Sequence, residues 1–154
     1  MKMTKYFIYY FFIPFAISLF AGTGYSIYIN QGYESEWLTA ESAVGFDVYI
    51  IFFIALIMLG LCLSIFFNKI KSIRASVVLS LIFWIIPLGF PLIIIYYHFE
   101  RYFLTKGNLI KYDDVKLFTE RFNMDLIIFL PYVFGAIFSY VIFRKDLTNN
   151  NYPI

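Results

Sequence analysis

The chain has 154 residues, of which 62% are hydrophobic and only 14% charged, with a net charge of +2; its mean hydropathy is +0.77. A water-soluble domain is typically about 45–50% apolar, and one this small has too little interior to hide the excess, so composition excludes an ordinary soluble fold. The weak charge provides no electrostatic footprint for nucleic acid, and none is expected as a partner.

Four uncharged apolar stretches account for the composition, at about 6–29, 48–67, 75–97 and 126–143. About 20 apolar residues in a helix cross a ~30 Å hydrocarbon core. Only internally hydrogen-bonded backbones persist there. The expected fold is therefore all-α: a polytopic membrane protein of one domain, residues 1–154, with four transmembrane helices packed as a small bundle.

The first stretch follows Lys2 and Lys5, as a secretory signal would. A signal's apolar core is only about 7–15 residues long. Here the run is longer, and Leu19 suits a cleavage pocket poorly ahead of Ala21, so a retained helix is expected. Within it Ser18, Gly22 and Ser26 recur every fourth residue. Small residues at this spacing share a face and let two helices approach closely in lipid, where packing rather than water exclusion drives association. The same spacing joins Gly60 to Ser64 in the second stretch, Ser76 to Ser80 in the third and Gly135 to Ser139 in the fourth. The reading is a compact bundle, with a docking face for another copy or another membrane protein as the functional alternative.

The loop from Asn30 to Asp47 carries Glu34, Glu36, Glu41 and Asp47 but no base, whereas Lys69, Lys71 and Arg74 fill the next loop without an acid. Trp37 and Leu38 are expected to dip into the interface. Because Lys and Arg are retained on the cytoplasmic side, the acidic loop is placed outside and both termini inside, in a bacterial inner membrane. The loop 98–125 complicates this threading. Four crossings leave Lys2, Lys5, Lys69, Lys71, Arg74, Arg144 and Lys145 inside, but put Arg101, Lys106, Lys111, Lys116 and Arg121 outside. A third stretch that re-entered at Pro87-Leu88-Gly89-Phe90-Pro91 would bring those five inside. Its length favours a full crossing, and a turn at the midplane would need shielding by protein.

Pro14, Pro87, Pro91 and Pro131 interrupt the stretches. Proline lacks an N–H and crowds the carbonyl four residues earlier, which frees the acceptors of Tyr10, Phe83, Pro87 and Ile127. With Trp84 and Gly89, the two prolines of the third stretch form either a broken helix that offers carbonyls to a cation or polar solute, or a kink whose carbonyls are satisfied by a neighbouring Ser or Thr. The kink is favoured, because no intramembrane acid or base accompanies it.

Beyond Tyr97 the chain reads either as a short hairpin around Lys106-Gly107-Asn108, or as a third helix running to about Leu104 and stopping at Gly107. Asp113 is the expected N-cap for an amphipathic segment bearing Val115, Phe118 and Phe122 on one face, lying on the membrane before the fourth helix. The residues 149–154 read as a frayed end.

Signs of chemistry are few. There is no HExxH, GxSxG or Walker signature. Cys62 lies alone in the second stretch and reads as a small hydrophobe. His98, the one histidine, is a poor candidate base with Ser80 or Ser139, and a metal site from His98, Glu100, Asp113 and Asp114 is nonspecific. No catalytic, metal or cofactor site is therefore expected, and the chain is read as a non-enzyme. Its size, four spans and tight loops resemble, in architecture alone and without a shared motif, bacterial immunity proteins that block pore-forming toxins in the inner membrane. That resemblance implies an accessory or interaction role. The alternative is a subunit of an oligomeric small-solute channel or transporter built around the third helix.

Overall fold

A computed structural model describes residues 3–32, 39–107 and 112–149, with the side chains of 3–32, 39–100, 116 and 119–148. Trp37, Leu38, Glu34, Glu36 and Asn108 lie outside the described residues, as do the side chains of Asp113, Asp114, Val115 and Phe118 and the tail beyond Asn149. The elements are α1 (Thr4–Phe7), a π-helical turn (Ile8–Phe12), α2 (Ile13–Ile29), α3 (Ala40–Cys62), a 3-10 helix (Leu63–Lys69), α4 (Lys71–Ala75), α5 (Val77–Gly107) and α6 (Tyr112–Asn149). No strand occurs among the described residues.

These elements make four helices long and apolar enough to cross a membrane: Thr4–Ile29, Ala40–Lys69, Val77–Glu100 and Thr119–Thr148. Helix α2 packs on α3 and α6, α6 on α5, and α5 on α3 and the 3-10 helix. The chain is thus an up-and-down bundle in which each span neighbours antiparallel ones and the first lies against the fourth. Only 22–33% of the most apolar window of each span is buried within it. Phe20 is 78% exposed and Ile93 69%. So broad an apolar exterior is a surface for hydrocarbon rather than water.

The second span begins earlier than its apolar run. Thr39 caps α3, its hydroxyl accepting the Ser42 N–H at 3.3 Å, and Glu41 falls in the first turn, where a carboxylate complements the helix dipole. Asp47 is therefore helical. At the far end the Asn68 amide donates to the Ile65 carbonyl at 3.1 Å, a local side-chain bond that competes with the α-helical ladder, and the helix there tightens to 3-10 geometry.

Helix α5 runs unbroken through Pro87, Gly89 and Pro91. The third apolar stretch does not turn back, and re-entry is set aside. The hairpin is also set aside, because 102–107 is helical. Helix α6 is already helical at Tyr112 and continues into the fourth span, so Asp113 is inside it rather than capping it. The segment before the fourth helix is continuous with it, and Phe122 meets Phe99 of α5, ring centroids 6.3 Å apart.

Candidate functional site

Prolines and small residues meet along the first and fourth spans. Pro14 cannot donate a helical N–H, and the π turn before it places the Ile13 N–H on the Ile8 carbonyl, one residue further back than an α-helix would. This wider turn lies against Gly135, where an added Cβ would stand 2.4 Å from Pro14 Cγ and 2.9 Å from the Tyr9 carbonyl oxygen. One turn on, Ser139 is fully buried and donates to the Tyr6 carbonyl at 2.8 Å. Ser18 donates to the Ile128 carbonyl at 2.6 Å, and Gly22 faces Ile51 and Ile128.

The third span is secured in the same way. Pro87 removes the helical donor for the Phe83 carbonyl; the Ser64 hydroxyl reaches that oxygen from the neighbouring helix at 2.8 Å. The next carbonyl, of Trp84, accepts from Tyr10 at 2.6 Å. The Tyr10 ring stacks on the Trp84 indole at 5.5 Å and 13°, and Phe143 and Tyr140 close on the same indole. Pro87 and Pro91 are buried, while nothing lies within 4 Å of a Cβ added at Gly89.

Charged clusters mark the two ends. At one, Asp146 accepts from Lys5 at 2.6 Å and from the Tyr6 hydroxyl at 2.7 Å. At the other, Ser26 donates to Asp47 at 2.6 Å and the Asn30 amide bridges both residues. Also at that end, His98 Nδ1 pairs with Asp125, tying α5 to α6. Sequence reasoning missed these three aspartates as ties, since each partner lies on another span; the one available signal was a carboxylate just at or beyond an apolar run. His98 and Ser80 are eighteen residues apart on one helix, roughly 27 Å at helical rise, and Ser139 is engaged by Tyr6, so neither serine is placed for nucleophilic chemistry with this histidine. Among the described residues no three of His, Cys, Asp and Glu gather as metal ligands.

The candidate small residues therefore divide. Ser18, Gly22, Ser26, Gly135, Ser139 and Ser64 serve contacts inside the bundle. Ser76 instead caps α5, accepting the Leu79 N–H at 3.2 Å. Ser80 Oγ, Trp84 Nε1 and Asn68 Oδ1 are buried without a hydrogen-bonding partner among the described groups. Gly60 is exposed and lines a groove of about 510 Å³ together with Leu63, Ser64, Phe66, Phe67, Ile70 and Ile86.

No protein-family model, curated protein or solved structure matches the chain.

Proposed function

We propose that this small integral membrane protein is a non-enzymatic accessory protein that works by contact with another membrane protein, in the manner of immunity proteins that shield the bacterial inner membrane from a pore-forming toxin. One observation carries the reading. The carbonyl that Pro87 frees, and the one after it, are both taken by side chains of neighbouring helices. A broken-helix solute site would need those acceptors; here they hold the bundle together. Recognition then belongs to the outer surface and the ends of the helices. The basic residues at 69–74 and 144–145 favour cytoplasmic termini.

The test is expression of the full chain in a sensitive bacterium challenged with pore-forming peptide toxins, paired with crosslinking in native membranes. Protection, together with a crosslink to a toxin or its receptor, supports the proposal. Solute leakage from liposomes containing only this chain would overturn it. The second reading, an oligomeric channel subunit, is favoured by the unpartnered polar atoms of Ser80, Trp84 and Asn68. It requires such leakage, and its loss on Gly89→Leu or Pro91→Ala.

A further inference from the structure

We propose that the groove beside Gly60 seats one acyl chain of an anionic phospholipid, with the phosphate held by Lys69, Lys71 and Arg74. The groove is apolar and opens onto the exterior of the bundle, where Gly60 leaves room that any larger residue would fill. From Gly60 to Ile70 the chain advances roughly 18 Å, rising about 1.5 Å per residue to Cys62 and about 2.0 Å through the 3-10 turns, a little over half of a ~30 Å hydrocarbon core. The groove is thus one leaflet deep. That depth suits an acyl chain, whereas a partner helix would need a seat running through both leaflets.

The charge lies at the matching end. Lys69 and Lys71 flank Ile70, which lines the groove, and both are exposed. The Lys69 ammonium stands 5.0 Å from the centroid of the Phe66 ring, which lines the groove; this cation–π contact holds the charge beside the groove. Arg74 follows one turn along α4. None of the three makes an ion pair among the described residues, although Lys5, His98 and Lys116 do. Three cations with no ion pair among the described residues, next to an apolar slot, complement a lipid with a negative headgroup. The inference rests on residence in a membrane but not on a toxin partner.

The test uses the full chain purified in mild detergent and mixed with equal amounts of phosphatidylglycerol and phosphatidylcholine of matched acyl chains. Retained lipid is counted by native mass spectrometry. One phosphatidylglycerol per chain should outlast phosphatidylcholine, and the preference should fall about fivefold for each of Lys69→Gln, Lys71→Gln and Arg74→Gln. Gly60→Leu should remove the bound lipid while helicity by circular dichroism is unchanged, because a Cβ there meets nothing within 4 Å. Equal retention of the two lipids, retention that survives Gly60→Leu, or a second copy of the chain that Gly60→Leu dissociates would each overturn the proposal. Specific lipid retention in a chain that gives no toxin protection would sustain this site and overturn only the immunity reading.

Discussion

Gly22 and Gly135 look alike in sequence, each four residues from a serine within an apolar run, yet they answer to different neighbours. A Cβ at Gly22 meets the far end of the Ile51 side chain at 2.8 Å, and that methyl can swing away. A Cβ at Gly135 meets the Pro14 ring at 2.4 Å and the Tyr9 backbone oxygen at 2.9 Å, and neither has a rotamer to give. Overpacking a tight contact costs about 1–3 kcal/mol. Gly135→Ala should therefore lower stability in detergent by that order, measured by reversible unfolding in mixed micelles, and Gly22→Ala should have well under half the effect. Equal losses would mean that Pro14 is not seated on α6. A second residue-scale prediction concerns Asp47. Asp47→Ala leaves the buried Ser26 hydroxyl without its acceptor and removes a partner of Asn30. It should raise amide exchange at the ends of α2 and α3 while leaving the opposite end near Asp146 unchanged.

At the scale of elements, proline and hydroxyl are coupled across helices. Ser64→Ala removes the cross-helix donor to the Phe83 carbonyl and should cost about 0.6 kcal/mol, as interhelical hydrogen bonds in membranes typically do. In a Pro87→Ala background the helix supplies its own donor to that carbonyl, so the same change should cost less; a double-mutant cycle isolates the difference. Additive effects would show that the serine acts by packing alone. This coupling also shows what the sequence could reveal. The four spans, the paired small residues and the expectation that a serine satisfies a freed carbonyl follow from local patterns of length, spacing and proline chemistry. The π turn before Pro14 does not, because its wider backbone is accommodated by Gly135 on a helix more than a hundred residues away. Nor does the start of α3 at Ala40: its first turns break the apolar run with Glu41, Ser42 and Asp47, and only the Thr39 cap and Glu41 mark them. The union of the amphipathic segment with the fourth span was hidden too, since its apolar face reads equally well as facing lipid or facing another helix.

For the whole molecule, length sets the geometry. Helix α5 has 31 residues and α6 has 38, roughly 46 and 57 Å at helical rise, against a ~30 Å hydrocarbon core. The excess of both lies at the end where His98 meets Asp125, beyond the spans Val77–Glu100 and Thr119–Thr148, so the pair sits at the membrane boundary there, while the Lys5–Asp146 end stays near the opposite surface. Four unbroken crossings put the α2–α3 connection and the N-terminal part of α6 on one side of the membrane, and α4 and the end of α6 on the other. Single cysteines replacing Gln31, Lys116, Lys71 and Lys145 sample these places at exposed positions, and native Cys62 is fully buried and should remain silent. With an impermeant maleimide on intact cells, Gln31→Cys and Lys116→Cys should label together, and Lys71→Cys and Lys145→Cys only after the membrane is opened. Labelling of Lys116→Cys with Lys71→Cys would mean that the third apolar stretch returns to its own side. Helix α5 would then have to fold back where it is now continuous through Pro87 and Pro91, and the Ser64–Phe83 and Tyr10–Trp84 ties would have to break with it.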